Sequence, residues 1–249
     1  MIYFVGAGPG AVDLITVRGQ ELLKRADLVI YAGSLVNPAL LKCRPAGCEI
    51  LDSAHMTLGE VIEAMTLRDG PDAIVVRLHT GDPSLYGAIR EQMDALSRLG
   101  TAFQVVPGVS SFSAAAAAIP AEYTLPGVSQ TVILTRMAGR TPVPEAESIR
   151  SLAGHGASMV LFLSAGMLSE LCAELIAGGY TPDTPAAIVY KASWPDQKVA
   201  RGTLRTLPEI GKNMTKTALV LVGGFLGDEY ELSRLYDPSF AHGYREARL

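Results

Sequence analysis

The sequence predicts an α/β fold made of two tandem α/β domains. Three observations carry that expectation. Short apolar runs rich in Val, Ile and Leu recur along all 249 residues, separated by stretches with helical apolar spacing. That alternation is the mark of a mostly parallel sheet with crossover helices. The runs end in loops rich in Gly, Pro and Ser, such as Gly6-Ala7-Gly8-Pro9-Gly10 and Thr80-Gly81-Asp82-Pro83. Residues 120–127 hold two prolines and little periodicity, and they divide the alternation into a first domain, 1–119, and a second, 120–249.

In the first domain Ile2 to Val5 reads as a strand, followed by the glycine loop. Thr16 is placed to cap a helix running to about Arg25. Leu28 to Tyr31 is a second strand, and Asn37-Pro38 is a cap with proline in the first helical position. Glu49 to Leu51 is a short strand. Thr57-Leu58-Gly59-Glu60 has the form of a capping box, opening a helix that ends near Asp69-Gly70-Pro71. Ala73 to Leu78 is nearly continuous in apolar residues, as in a strand buried on both faces. It runs into His79-Thr80-Gly81-Asp82-Pro83, and a helix is expected over 88–99. Phe103 to Val106 is a fifth strand, leading through Pro107-Gly108-Val109-Ser110-Ser111 into an alanine-rich helix to Ile119.

The second domain repeats the alternation without a detectable sequence repeat. Strands are expected at 131–135, 158–163, 186–190, 198–204 and 218–222. Helices are expected from Pro144 to about Leu152 and from Met167 to Ala177, and a capping box is read at Thr206-Leu207-Pro208-Glu209.

Composition excludes several function classes. The apolar content is 49%, and no run approaches the roughly 18–20 apolar residues that span a bilayer. The first residues show no basic segment before an apolar core, so no signal peptide is expected and the cytoplasm is the predicted location. A net charge of −4 without a basic run argues against nucleic acid as partner. The three cysteines and four histidines lack zinc-site spacing, so no metal is expected.

Gly6-Ala7-Gly8-Pro9-Gly10-Ala11 formally matches the dinucleotide fingerprint. Two features oppose an NAD(P) reading. The second strand ends in Tyr31-Ala32-Gly33 where a ribose-binding acid belongs, and Pro9 removes an N–H from the loop. The strand-end loops also lack paired carboxylates or a G-x-S-x-G nucleophile. They suit holding a reactive cofactor by backbone contacts.

Those residues also carry a resemblance. Val5 to Gly10 with Asp13-Leu14-Ile15-Thr16, then His79 to Pro83, then Val106 to Ser111, resemble three ordered motifs of the tetrapyrrole (corrin/porphyrin) methyltransferases. Tyr31 to Val36, Thr135 to Pro142 and Leu235 to Gly243 resemble the branch that methylates C-11 of precorrin-4 in cobalamin synthesis. The resemblance covers essentially the whole chain. It implies two α/β domains with S-adenosylmethionine (leaving as S-adenosylhomocysteine) in the cleft between them, a precorrin-type substrate and a homodimer. Cofactor contacts are then expected at Pro9, Thr80, Gly81, Asp82, Ser110 and Ser111. By register alone they are also expected at Leu163, Ser164, Ala192, Thr217 and Ala218. Asp82 is the candidate for orienting the cofactor; capping of the next helix is its alternative role, and no general base is assigned. A substrate with many carboxylates calls for Arg136 and Arg140, then Arg90, with Tyr86 and Met137 as candidates to pack on the macrocycle and Met137 equally a core residue. Other readings stay open: a cobalt-loaded macrocycle as substrate, methylation at another carbon of the macrocycle, and a non-catalytic module that binds S-adenosylmethionine or a tetrapyrrole.

Overall fold

A computed structural model describes residues 1–68, 70 and 72–248. Among these described residues, ten strands and seven α-helices alternate as the apolar runs require. The strands are β1 (Ile2–Gly6), β2 (Leu28–Tyr31), β3 (Glu49–Asp52), β4 (Val75–His79), β5 (Phe103–Val106), β6 (Val132–Arg136), β7 (Ser158–Phe162), β8 (Pro185–Tyr190), β9 (Lys198–Thr203) and β10 (Ala218–Val222). The helices are α1 (Val17–Leu23), α2 (Leu58–Leu67), α3 (Ile89–Arg98), α4 (Ser111–Ala118), α5 (Ile149–Ala153), α6 (Leu168–Ala177) and α7 (Leu207–Ile210). The chain separates into two compact units, one comprising 1–118 with 191–198, the other 119–190 with 199–249. The excursion of 191–198 into the first unit has no counterpart in the sequence reading.

In the first unit β3-β2-β4-β1-β5 form one sheet, and every adjacent pair is parallel. Strand β4 is buried along its whole length, as its apolar run demands, including two polar residues that enter the core, Arg77 and His79. Val5, Val29, Val76 and Leu78 pack one side layer, and Phe4, Ile30, Met65 and Leu96 the other. The three caps predicted for this unit form, and the Asn37 Oδ1 accepts the Ala39 N–H to open a 3-10 helix, Pro38–Cys43. The Thr16 Oγ1 accepts from the Gly19 N–H, and Thr57 and Glu60 bond reciprocally. Helix α2 ends at Leu67; Asp69 and Pro71 of the expected terminus lie outside the described residues.

The second sheet runs β6-β7-β10-β8-β9. Strands β6 and β7 are parallel, but β10 lies antiparallel to both its neighbours, β7 and β8. A buried central strand reads the same in either direction, so the apolar run at 218–222 could not report this reversal. Two local readings are corrected. The helix expected from Pro144 is a 3-10 turn at Glu145–Glu147 and then the short α5, because Ser148 is extended and its side chain accepts from Ser151 N–H. The Thr206 hydroxyl does not cap α7; it bonds back to Thr203. Among the described residues no helix is long and apolar enough to cross a membrane.

Candidate functional site

Because β4, β1 and β5 are adjacent and parallel, the loops at 6–10, 80–88 and 107–111 leave one edge of the first sheet together. That edge is where open α/β sheets gather ligands. The loops are joined by backbone. The Ala7 N–H donates to the His79 carbonyl (2.7 Å), Gly81 N–H to Gly8 O (2.8 Å) and Gly8 N–H to Gly81 O (3.2 Å). Gly8 and Gly81 sit at φ +75° and +61°, a region that suits glycine. Gly6 is required by contact: a Cβ there would lie 2.5 Å from Gly108 Cα and 2.7 Å from Gly81 O.

Asp82 fastens this junction. Its Oδ2 accepts the Gly108 N–H (2.8 Å), and its Oδ1 accepts the N–H and hydroxyl of Ser84. Helix α3 begins only at Ile89, so Asp82 is not its cap. Partial burial pushes the carboxyl pKa up, but the Ser84 hydroxyl and the Gly108 and Ser84 amides outweigh it and hold the group below its usual value. A depressed carboxylate stabilises the fold above its unfolded pKa, near 3.9, and the contribution is lost as pH falls through the folded value. The acid limb of thermal stability is therefore expected to shallow in Asp82→Asn, measured as melting temperature from neutral pH downward.

The other expected contacts divide by exposure. Pro9 and Ser110 are buried, Ser111 and Asp82 half-buried, and Thr80 open to solvent. Ser111 opens α4, and its amide nitrogen stands 3.4 Å from where a Gly81 Cβ would be. Most amides of the glycine loop are committed or missing, which disfavours a pyrophosphate there. The amides of Ala7 and Gly8 donate to backbone, Pro9 has none, and the Ala11 N–H donates to Ser193 Oγ at 3.0 Å.

Beneath the 80–88 loop lies a polar relay the sequence reading missed. The buried Arg77 donates to Gln92 Oε1 (3.2 Å) and Ile30 O (3.3 Å), and Gln92 Nε2 donates to Ala88 O (3.0 Å). Only the interruption of an apolar strand by Arg77 could have signalled it. Burial lowers the Arg77 guanidinium to about 10. Burial first, and then the Arg77 charge, lower His79 to about 3, so the ring is neutral at physiological pH. Tyr86 and Ala88 both take positive φ, 56° and 49°. Tyr86 is exposed. Arg90 projects from α3 into solvent and pairs with Asp94, a contact of the weak i,i+4 kind.

In the second unit the ends of β6, β7 and β8 and the start of β10 share one edge, since β10 runs antiparallel. Leu163, Thr217 and Ala218 lie there. Leu163 and Thr217 hold positive φ, 55° and 51°, and Leu163 is 69% exposed, an unusual cost for an apolar side chain. The Ser164 side chain is fully buried; its hydroxyl donates to Phe162 O and accepts the Met137 N–H. Ala192, just past β8, belongs to the segment packed with the first unit.

The predicted arginines differ in position. Arg136 spends its guanidinium inside its own loop, donating to the carbonyls of Met137, Thr141 and Pro142. Met137 is in the core. Arg140 stands exposed on the loop that Arg136 shapes, with no hydrogen bond or ion pair among the described residues. Arg136→Ala is thus expected to loosen residues 137–142, read as faster amide exchange there with little change elsewhere.

Comparison with known proteins agrees with this architecture. A model of the tetrapyrrole (corrin/porphyrin) methylases matches residues 1–208. The cobalt-precorrin-4 C(11)-methyltransferase of Methanocaldococcus jannaschii is 50% identical, over 99% of this chain and 96% of the relative. The precorrin-4 C(11)-methyltransferase of Pseudomonas aeruginosa is 45% identical over 98% of each. The X-ray structure of a cobalt precorrin-4 methyltransferase, described as a cobalamin biosynthetic enzyme, superposes with a TM-score of 0.89 at 47% identity, covering 91% of this chain and 96% of that one. The chain belongs to the tetrapyrrole (corrin/porphyrin) methylases.

Proposed function

We propose that this chain transfers a methyl group from S-adenosylmethionine to C-11 of precorrin-4 in cobalamin biosynthesis. The observation that carries the reading is near-full-length identity of 45–50% with C(11)-methyltransferases, on a chain whose glycine loops are drawn together and fastened by Asp82. The donor set fits the cofactor. The loop edge offers neutral main-chain groups, an exposed Thr80 and the first turn of α4, and the Ala7, Gly8 and Ala11 amides that a dinucleotide would use already donate elsewhere.

When bound, S-adenosylmethionine supplies a methyl group already activated by its sulfonium. The chain's share is then to orient and to exclude water. Asp82 fixes the 80–84 loop against Gly108. Pro9, Thr80, Gly81, Ser110 and Ser111 are the proposed cofactor contacts of the first unit and Ala192 of its added segment; Leu163, Ser164, Thr217 and Ala218 are those of the second. For Ser164 the contribution is main-chain, since its hydroxyl is committed. Arg140 is the proposed partner for substrate carboxylates, held in place by Arg136, with Arg90 secondary and Tyr86 packing on the macrocycle. We assign no general base.

The cobalt-loaded macrocycle is the second reading, favoured by the name of the 50%-identical relative. The test is incubation with S-adenosylmethionine and metal-free or cobalt-loaded precorrin-4, with products read by mass spectrometry. A product one methyl group heavier from the metal-free substrate supports the first reading, and from the cobalt form alone the second. No methylation of either rejects both and leaves a binding module. The proposed homodimer in the cytoplasm is checked by light scattering and cell fractionation.

A further inference from the structure

We infer that Trp194 is a positioning residue for the cofactor loop, acting through Pro9 and Gly10. The inference rests on the S-adenosylmethionine reading above. Residues 191–198 lie between β8 and β9 of the second sheet, yet pack with the first unit. There they hold the glycine loop at successive points. The Trp194 indole N–H donates to Pro9 O at 2.9 Å, and Ser193 Oγ accepts the Ala11 N–H at 3.0 Å. From the other side, Asn37 Nδ2 donates to Gly10 O at 2.8 Å.

Gly10 explains itself in this contact, because a Cβ there would run into the indole ring. This glycine, at an unconstrained position of the fingerprint, therefore makes room for a tryptophan. A loop with three glycines has wide conformational freedom when unrestrained, so external contacts decide its shape. The holding segment is itself shaped at some cost, since Lys191 and Ser193 sit at φ 47° and 68° without being glycine. Two bonds sustain that shape: Ser193 N–H to Gln197 Oε1 (2.7 Å), and the Lys191 ammonium to Asp196 (2.7 Å), with the same ammonium 5.2 Å from the indole centroid.

If the loop must be held for the cofactor to bind, losing one hold should weaken cofactor binding more than turnover. W194F keeps an aromatic ring over Gly10 and removes the N–H; S193A removes the acceptor for Ala11 and stands in should W194F fail to fold. Each is expected to raise the calorimetric Kd for S-adenosylhomocysteine and the KM for S-adenosylmethionine about threefold to tenfold. The kcat at saturating cofactor should stay within about twofold. Trp194 is also the only tryptophan, so wild-type emission should change during the titration with the calorimetric midpoint.

A lower melting temperature with unchanged Kd would assign the segment a merely structural role and overturn the inference. So would wild-type emission that stays constant through calorimetric saturation. A wild-type chain that binds no S-adenosylhomocysteine would reject the methyl-donor reading and this inference with it. Wild-type binding matched by both variants rejects the inference alone.

Discussion

Asp82→Ala is expected to lower S-adenosylhomocysteine affinity between about 10- and 100-fold, because hydrogen bonds to a charged acceptor are worth roughly 1.5–3 kcal/mol each. The change leaves the Gly108 N–H and both Ser84 donors without their acceptor. Two of these three groups belong to the loop that carries Asp82, and the third belongs to the loop after β5, so the join between loops is what breaks. Asparagine at this position should recover only part of the loss. Its oxygen accepts on one side, but its amide then faces a donor on the other. Calorimetry on wild type, Asp82→Ala and Asp82→Asn gives the order expected: tightest, weakest and intermediate. Equal affinities would show that the junction does not shape the cofactor site.

Gly6→Ala is expected to destabilise the chain strongly. The new carbon would meet only backbone: Gly108 Cα at 2.5 Å, Gly108 N at 2.6 Å and Gly81 O at 2.7 Å. No side-chain rotation relieves that, so β1 or the loops must shift. Overpacking of this kind costs about 1–3 kcal/mol, which for a chain of this size lowers the melting temperature by roughly 2–12 °C. S-adenosylhomocysteine binding should be lost with it, since the displaced groups belong to the loops proposed to hold the cofactor. Gly47→Ala is the matched control, as nothing lies within 4 Å of its added carbon. A Gly6→Ala chain that melts and binds like Gly47→Ala would contradict the close approach of the three loops.

Much of the first unit was legible because its signals are local. Apolar runs such as Ile2 to Val5 and Ala73 to Leu78 became parallel strands, and Thr16 and Thr57 capped the helices they precede. The three glycine-bearing motifs met at one sheet edge, as loops after adjacent parallel strands must. What escaped depends on contacts far apart in sequence. The reversal of β10 leaves no trace in a strand buried on both faces. The hold of Trp194 on Pro9 spans 185 positions, and only the presence of a single tryptophan in a Pro- and Ser-rich loop hinted at it. The arginines show the same limit. Arg136 and Arg140 share one loop and one charge, but Arg136 bonds to carbonyls of that loop while Arg140 stays open to solvent. Sequence could not distinguish the residue that builds this loop from the residue it presents.

The most direct test of the methyl-donor reading is calorimetric titration of the purified chain with S-adenosylhomocysteine, with NADH as the competing ligand. The account predicts saturable binding of one S-adenosylhomocysteine per chain and no heat from NADH, because the Ala7, Gly8 and Ala11 amides already donate elsewhere. Binding of NADH without S-adenosylhomocysteine would contradict it and return the glycine loop to a dinucleotide role.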